Sequence, residues 1–338
     1  MFAYAHASGA GAVQACVSRL GRPGRGLGFV YFTDSLVASA PEILDTLKNR
    51  TGVRDWIGTV GTGVIATGVE YQEEPAIAAM IADVEAYSVF SGRAPLKTGQ
   101  SFAVVHADPA APDLTGLVTD LSQRVTSGYL VGGISSSRSR TVQIANEVLS
   151  GGLSGATFGP EVMVATRHTQ GCSQYPGRFR ITEAVDNIIV SLDGKPALEV
   201  LKENAASSSV LVGIPVAGSD TGDYMARNLV GIDPQNGLIA IGEEVEAGME
   251  ILFLKRDAAA ARADLERILR ELKGSPPPRG ALYYSCVARG EHLFGARGAE
   301  LGVVSRALGD VPLVGFFCNG EISHDRLYGY TGVLTLFH

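Results

Sequence analysis

A unit of strand, helix and strand, whose second strand runs into a glycine-rich turn, recurs along this chain and constrains its fold more than any other feature. In the first copy, residues 27–34 are predicted to form a strand, and the capping-box pattern Ser39-x-x-Glu42 predicts the start of a helix. Gly52 predicts the end of that helix, because glycine readily adopts the left-handed conformation that closes a helix. Residues 56–63 then form a second strand that breaks into the turn.

Two further copies follow the same plan. Their strands are predicted at residues 101–108 and 129–137, and at residues 281–288 and 311–321, with helical periodicity between the members of each pair. In the first two copies, an aspartate at the end of the first strand precedes the first glycine of the turn by the same 24 residues. Equal spacing in two otherwise dissimilar stretches favours shared architecture over coincidence.

The repeated unit predicts the fold class. A strand, helix, strand sequence is typical of a right-handed crossover between parallel strands, so recurring βαβ units indicate an α/β fold with mainly parallel or mixed sheets. With 338 residues the chain exceeds one typical domain, which favours two domains. The pattern restarts near residue 203, so we place one domain at residues 1–203 and a second at residues 204–338.

The charge of the chain argues against one class of partner. Its formal net charge is -7 and its pI is about 5.4, whereas nucleic acids and anionic lipids are bound by clustered lysine and arginine residues. The arginines are also scattered along the sequence. We therefore expect no nucleic-acid partner.

No pattern for a cofactor, a metal or a membrane segment occurs in the sequence. The four cysteines lie far apart without a C-x-x-C pair, and no G-K-[ST] phosphate-binding motif is present, so we expect neither a metal nor a cofactor. The first residues lack the basic start of a secretory signal, and no apolar run approaches the roughly 18 to 20 residues of a membrane span. These features predict no membrane span and a cytoplasmic location.

The glycine-rich turns are the first candidates for a binding site. Ligands of open parallel sheets collect beyond the carboxyl ends of the strands, and glycine lets them approach backbone N–H groups. The first two turns contribute Gly58, Gly61, Gly63, Gly132, Gly133 and Ser135. A carboxylate or phosphate group would suit these turns, and glycines that merely reverse the chain are the alternative for each of them.

Polar side chains near the third turn extend this candidate site. Asn319 and Glu321 could bind an amine or a hydroxyl, and Arg289 follows the preceding strand of the same copy, so the site would combine donors and acceptors. Ordinary polarity of an exposed turn is the alternative.

Cys286 is the strongest candidate nucleophile. It lies near the end of a predicted strand and three residues before Arg289, whose charge could lower a thiol pKa. Cys172 and Cys318 are further candidates, but local sequence places no histidine to act as a base for Cys286, and a buried inert cysteine is the commoner outcome. We predict no catalytic residue, and a thiol-dependent enzyme stays open as an alternative.

Several segments resemble the FIST family, named for F-box and intracellular signal transduction proteins. Segments 286–295, 314–322 and 330–334 resemble the C-terminal FIST domain, and 227–233 resembles its opening part. Segments 171–172, 181–184 and 192–197 resemble the end of the N-terminal FIST domain. The resemblance implies a sensory module that binds a small polar metabolite, with amino acids as the suggested ligand class, and leaves room for a signalling protein as partner.

The motifs that carry this resemblance supply the remaining predicted ligand contacts. Together with the third turn they comprise Arg227, Cys286, Arg289, Gly290, Phe316, Asn319, Gly320 and Glu321. A protein-interaction module without a ligand pocket is the third hypothesis, and it predicts a sizeable exposed apolar patch.

Overall fold

The computed structural model describes residues 2–92, 96–205, 209–219, 222–273 and 276–338. The chain forms two compact units: unit 1 comprises Met1–Gln170 and Arg262–His338, and unit 2 comprises Gly171–Ala261. Unit 2 is therefore inserted into the sequence of unit 1. The compact units meet at two boundaries in the sequence, after Gln170 and after Ala261. The single domain boundary near residue 203 stays a prediction.

The helices and strands have the following bounds. The helices are α1 (Ala12–Leu20), α2 (Ala40–Thr51), α3 (Leu114–Ser122), α4 (Ala197–Asn204), α5 (Ala258–Leu272), α6 (Glu291–Phe294) and α7 (Ala299–Leu308). The strands before unit 2 are β1 (Ala3–Ser8), β2 (Leu27–Thr33), β3 (Asp55–Gly61), β4 (Gly63–Ala66), β5 (Val69–Gln72), β6 (Ala76–Ala82), β7 (Tyr87–Ser91), β8 (Phe102–Ala107), β9 (Tyr129–Ile134), β10 (Gln143–Ala145), β11 (Val148–Leu149), β12 (Leu153–Phe158) and β13 (Val164–Gln170). Those of unit 2 are β14 (Cys172–Gln174), β15 (Phe179–Val185), β16 (Ile188–Leu192), β17 (Lys195–Pro196), β18 (Val210–Pro215), β19 (Tyr224–Asp233), β20 (Leu238–Ile241) and β21 (Glu250–Arg256). Those after unit 2 are β22 (Gly280–Cys286), β23 (Leu313–Cys318), β24 (Glu321–Ser323), β25 (Arg326–Tyr328) and β26 (Thr331–Phe337).

Unit 1 contains three six-stranded sheets, each built around two parallel strands. Sheet A has the order β1-β6-β2-β3-β10-β11, sheet B the order β13-β26-β22-β23-β4-β5, and sheet C the order β7-β12-β8-β9-β24-β25. The parallel pairs are β2–β3, β22–β23 and β8–β9, and the connections within them contain α2, α7 and α3 respectively. The other strand pairs described are antiparallel, so the sheets are mixed and the chain is an α/β protein.

The three sheets repeat one strand order, which gives unit 1 an internal threefold repeat. In each sheet the outer hairpin comes from another repeat: β4–β5 joins β23, β10–β11 joins β3, and β24–β25 joins β9. The strand after each hairpin returns to its own sheet and pairs with the first strand of the parallel pair. Backbone hydrogen bonds therefore tie the sheets together and place equivalent residues of the repeats in equivalent positions.

One glycine in the second strand of each parallel pair lets two backbones approach closely. A Cβ at Gly58 or at Gly315 would lie 1.7 Å from a carbonyl oxygen of the neighbouring strand, and a Cβ at Gly132 would lie 1.8 Å from one. Any other residue would force the strands apart, because real side chains do not tolerate such contacts.

The inner faces of the three sheets share one apolar core. Its buried members include Phe29, Tyr31, Ile57, Val104, Val131, Tyr284, Phe316, Val333 and Phe337, which alternate along their strands with residues of the outer faces. Helices α1 and α2 pack on the outer face of sheet A, and α3 packs on that of sheet C. On sheet B, the first turn of α7 meets the outer face, where Glu300 accepts a hydrogen bond from Tyr283.

Two helix starts differ in their capping. Asp113 accepts a hydrogen bond from the Gly116 nitrogen at 3.0 Å and so caps α3. Ser39 precedes α2 but makes no capping hydrogen bond, so the predicted capping box is wrong. A 3-10 helix at Asp34–Ser39 leads directly into α2, so the last turn of this helix takes the place of a side-chain cap.

Unit 2 is a closed antiparallel barrel. Strands β21, β15, β16, β20, β19 and β18 pair in that order, and β18 pairs with β21 to close the circle. Its core contains Val212, Ile239, Ile251 and Phe253, and α4 adds Leu198 to it. The strands described in this unit include no parallel pair, so the mainly parallel arrangement expected from the sequence does not extend to it.

Candidate functional site

The glycines of the first two predicted turns lie inside strands or at a strand start. Gly58 and Gly61 belong to β3, Gly63 begins β4, and Gly132 and Gly133 belong to β9. All five are buried and present no open turn to a ligand. The predicted turn location is wrong, because a run of glycines looks the same in sequence whether it ends a strand or lets two strands come close.

Close packing accounts for the glycines that neighbour the three equivalent ones. A Cβ at Gly61 would lie 2.7 Å from the carbonyl oxygen of Gly63, and a Cβ at Gly63 would lie 2.8 Å from that of Tyr71. A Cβ at Gly133 would lie 2.8 Å from the Cβ of Cys318. These glycines therefore serve the packing of strands and core.

The third copy carries a buried cluster of charged and polar side chains at the end of β22. Glu300 is fully buried, and its Oε1 accepts hydrogen bonds from the Tyr283 hydroxyl at 2.6 Å and from Arg289 Nε at 2.8 Å. Its Oε2 accepts from Ser285 Oγ and from the Gly290 nitrogen, each at 3.1 Å. Glu300 thus compensates the charge of Arg289 and fixes α7 to the sheet.

The guanidinium of Arg289 is buried but only partly hydrogen-bonded. Nη2 lies 2.7 Å from Glu300 Oε1 without the alignment of a hydrogen bond, and Nη1 has no hydrogen-bond partner among the described residues. Arg289 is 1% exposed, so water does not compensate these groups at the surface. Although burial opposes the charge, Glu300 holds the pKa of Arg289 above its ordinary value, and the group stays a cation.

Glu321, the first residue of β24, is a second buried carboxyl group near Arg289. Its Oε2 accepts hydrogen bonds from the Thr331 nitrogen at 3.1 Å and hydroxyl at 2.5 Å, and its Oε1 accepts one from Cys318 Sγ at 3.2 Å. Burial outweighs these contacts and the charge of Arg289, and raises the pKa of Glu321 to about 7. The carboxyl can therefore exchange a proton near neutral pH.

The two cysteines of the cluster are protonated thiols. Cys286 and Cys318 lie opposite each other on β22 and β23. Burial, together with the nearby Glu321 carboxyl, raises the pKa of Cys286 to about 12, and burial raises that of Cys318 well above its usual range. The cation of Arg289 does not overcome this effect, so the arrangement does not favour a thiolate nucleophile.

Three other predicted contact residues of this copy lie outside the cluster. Asn319 is exposed, and its backbone nitrogen donates to the carbonyl of Ile134 at 3.0 Å. Gly320 also packs against Ile134. Phe316 belongs to the core, where its ring stacks on Tyr31 with 5.2 Å between centroids.

Three more predicted residues are placed elsewhere in the chain. Arg227 and Cys172 belong to unit 2, where Arg227 Nε lies 2.5 Å from Glu243 Oε2 and Cys172 is buried. Ser135 lies after β9, and its hydroxyl is 2.6 Å from that of Thr59. Of the predicted ligand contacts, Cys286, Arg289, Gly290 and Glu321 belong to the cluster at the end of β22, with Gly133 packed against its Cys318.

The sequence does not identify Glu300 as the partner of Arg289, or Thr331 as the partner of Glu321. Glu300 lies in the first turn of a predicted helix, where an acidic residue ordinarily interacts with the helix dipole in solvent. Thr331 belongs to the segment 330–334, which only the family resemblance singles out. Their roles depend on tertiary contacts with β22 and β24, and no local pattern distinguishes them.

In the described part of the chain, no group of three or more histidine, cysteine, aspartate or glutamate residues is arranged to hold a metal ion. Among the helices of that part, none is long and apolar enough to cross a membrane.

Comparison with known proteins finds two domains of one family and several relatives. The FIST N domain matches residues 26–195, and the FIST C domain matches residues 194–324. An uncharacterized protein of Mycobacterium tuberculosis is 32% identical over 320 residues, which cover 83% of each chain. An uncharacterized protein of Mycobacterium bovis is 28% identical over 335 residues, which cover 88% of this chain and 86% of the relative.

Proposed function

The chain belongs to the FIST family, and on that premise we propose that it is a sensory module that binds a small polar metabolite at the buried cluster around Arg289. Sensing requires a site whose occupancy changes the protein. In this cluster Glu300 joins α7 to β22, and Glu321 joins β24 to β23 and β26. The proposal includes a cytoplasmic location and the division of the chain near residue 203.

The unpaired guanidinium nitrogen of Arg289 is the observation that carries this proposal. A buried donor without a partner costs about 1–3 kcal/mol, and more when the group is charged. An anionic group of a ligand would supply the missing acceptor, and carboxylates and phosphates match the planar donor set of arginine. Such a ligand would therefore gain both charge pairing and hydrogen bonds at Arg289.

Glu321 is the proposed partner for an amine or hydroxyl group of the ligand. Its charge acts on Arg289, so the two groups belong to one electrostatic site. Because its pKa is about 7, an approaching ammonium group would draw it into the ionised form, whereas a hydroxyl could donate to it. A metabolite with an anionic group and an amine or hydroxyl, such as an amino acid, fits both residues.

Access to the site requires movement, since its members are buried. The segment at residues 290–298 follows β22, places the Phe294 ring centroid 5.3 Å from the guanidinium carbon of Arg289, and contains Gly290, Gly295 and Gly298, all with positive φ. Such glycines can change conformation at low steric cost. Opening and closing of this segment on a ligand would give the protein two states that a signalling partner could distinguish.

A screen of amino acids and related metabolites by thermal shift tests the proposal. A ligand at 100 times its Kd should stabilise the folded protein by about 2.7 kcal/mol. Arg289→Lys retains the charge but loses the planar donor set, so it should abolish the shift. Arg167→Lys changes an exposed arginine paired with Glu271 and should leave the shift intact.

Failure of all ligands in a broad screen at millimolar concentration would contradict this proposal. Equal shifts in the wild type and Arg289→Lys would instead place the binding elsewhere in the protein. The thiol-dependent enzyme is the less favoured hypothesis, because Cys286 has a pKa near 12. Iodoacetamide modification of Cys286 faster than of the other cysteines at neutral pH would revive it.

A further inference from the structure

A second buried polar cluster lies at the centre of the threefold repeat. Tyr31, His106 and Tyr284 occupy equivalent positions, since each follows by one residue the strand partner of an equivalent glycine. The Tyr31 hydroxyl lies 3.2 Å from His106 Nε2 and 2.9 Å from the Tyr284 hydroxyl. The three side chains therefore meet in the core.

His106 leaves one ring nitrogen without a partner. Its Nδ1 is buried and has no hydrogen-bond partner among the described residues. Ser154 lies directly opposite His106 on β12, and its buried hydroxyl is unpaired as well. Opposite residues of paired strands share one face, so the two unpaired groups lie side by side on the inner face of sheet C.

Gln143 brings a third unpaired atom to the same region. Its Nε2 donates to the carbonyl of Gly152 at 3.3 Å, two residues before Ser154, whereas its buried Oε1 has no partner in the described chain. Gln143 also lies opposite Thr59 on β3, and Thr59 lies opposite Tyr31. The side chains of sheets A and C thus converge from neighbouring strands.

The other two repeats show that this fold does not require polar residues here. The position of Ser154 corresponds to Ala78 and Val333, which lie opposite Tyr31 and Tyr284 in the same register. Both residues belong to the apolar core. The position of Gln143 corresponds to Val64 on β4, opposite Phe316, and to Glu321 on β24, opposite Gly133, so one of the other two repeats has an apolar residue there. Apolar side chains would avoid the cost of unpaired buried polar groups, which is about 1–3 kcal/mol for each group.

We propose that His106 Nδ1, Ser154 Oγ and Gln143 Oε1 line a binding site for one small neutral molecule that both donates and accepts hydrogen bonds. The amide oxygen of Gln143 needs a donor, the Ser154 hydroxyl can give or take a proton, and His106 completes the set according to its tautomer. A water molecule, or a solute of similar size and polarity, has this chemistry.

The surroundings of the site select against anions. Tyr31, Thr59 and Ser135 contribute hydroxyl groups, and burial lowers the pKa of His106 to about 3, so the imidazole is neutral. A charged group nearby is the Asp108 carboxylate, which accepts from Thr141 Oγ1 and the Gly151 nitrogen and whose own nitrogen shares the Gly152 carbonyl with Gln143. An anion at the site would therefore lack a compensating charge, and burial of an isolated charge is strongly unfavourable. This site thus differs in charge from the cluster around Arg289.

Two variants of the full chain test the site by thermal unfolding. Ser154→Ala introduces the residue found at the equivalent position 78. If the hydroxyl binds a molecule, the variant should lose that contact and melt about 2–4 °C lower than the wild type. Ala78→Ser is the matched control: it places a hydroxyl at the equivalent position of sheet A, opposite Tyr31 and His6, and measures the effect of adding one there.

A high-resolution crystal structure of the wild type supplies an independent readout. We expect density for one molecule within about 2.7–3.2 Å of at least two of the three atoms. Density of one atom's size identifies water, and larger density identifies a solute. An unoccupied site, or a Ser154→Ala variant that melts at or above the wild-type temperature, would overturn the proposal.

Discussion

Glu321 and Gln143 occupy equivalent positions in two repeats of one fold, but their surroundings differ in chemistry. Each residue belongs to a hairpin that one repeat contributes to the sheet of another. Glu321 lies opposite Gly133, which follows Gly132, and Gln143 lies opposite Thr59, which follows Gly58. Glu321 accepts hydrogen bonds from Thr331, the first residue of β26, and Gln143 donates one to Gly152, the equivalent position just before β12. The first environment contains the buried pair of Arg289 and Glu300, whereas the second is formed mainly by neutral groups.

The difference arises from the residues at the end of the first strand of each parallel pair. After β22 the chain supplies Arg289, which Glu300 on α7 compensates, so a second carboxyl can be accommodated nearby. Near Gln143 the neighbours His106, Ser154 and Thr59 are uncharged, and the nearby Asp108 is a carboxylate held by Thr141 and Gly151 rather than a cation. The repeat therefore supplies the backbone, and a few side chains decide what each environment can bind.

The largest expected effect concerns what the two regions share. Gly132→Ala and Gly315→Ala should each cost more than about 4 kcal/mol, because a Cβ would lie less than 2 Å from a backbone carbonyl oxygen. Gly302→Ala in α7 is the control, since a Cβ there meets only the Arg306 side chain at 3.4 Å, and it should stabilise by about 0.5–1 kcal/mol. Urea unfolding measures both, and normal stability of either strand variant would refute the close-approach argument.

The next effect should distinguish the charged region. Glu300→Gln leaves Arg289 as a buried cation without its carboxylate, so we expect a loss of about 3–5 kcal/mol in the free energy of unfolding. Glu271→Gln removes a partly exposed partner of Arg167 and Arg267 and should cost no more than about 1 kcal/mol. Equal losses would mean that the buried pair contributes no more than a surface pair.

The pH dependence of stability should separate Glu321 from Gln143. Folding raises the pKa of Glu321 to about 7, so the folded protein retains its proton more tightly than the unfolded chain, whose glutamate pKa is about 4.3. The resulting stabilisation is complete below about pH 4.3 and is lost as pH rises through about 7, by on the order of 4 kcal/mol.

Glu321→Gln should flatten this pH profile by making the charged region resemble the neutral one. The reverse change, Gln143→Glu, should create a new decline of stability with rising pH, because no described cation faces that position. Unfolding by guanidinium chloride at a series of pH values measures the free energy of unfolding of both variants. A wild-type profile that is already flat between pH 4.5 and 7 would contradict the raised pKa.

The sequence predicts where the strands of the repeated unit lie, but not how the strands of different copies combine into sheets. Residues 27–34 and 56–63, like their counterparts in the other copies, include the strands that pair in parallel, because their apolar runs and flanking signals are local. The exchange of hairpins between sheets involves strands of two to four residues, such as β4 and β24, which carry no periodic signal. The barrel of unit 2 depends on antiparallel closure that no single segment encodes.

The candidate site was predicted in part for the same reason. Arg289, Cys286 and Glu321 stand near strand ends, which sequence can locate, and the structure places them in one cluster. Asn319 is two residues before Glu321 but is exposed, because the bend at residues 319–320 between β23 and β24 interrupts the alternation under which residues two apart share a face. Glu300, His106 and Gln143 acquire their partners only through pairing of distant segments.

The smallest expected effect concerns the tyrosines between the two regions. Tyr31→Phe removes a hydroxyl that contacts both His106 and Tyr284, so two buried polar groups lose a partner, and we expect a loss of about 2 kcal/mol. Tyr284→Phe removes only the contact with Tyr31 and should cost about 1 kcal/mol. Both substitutions preserve ring packing, so urea unfolding reports mainly the hydrogen bonds. If Tyr284→Phe cost as much as Tyr31→Phe, the hydroxyl of Tyr31 would not bridge the two neighbours, and the neutral region would lack its connection to the repeat that carries Arg289.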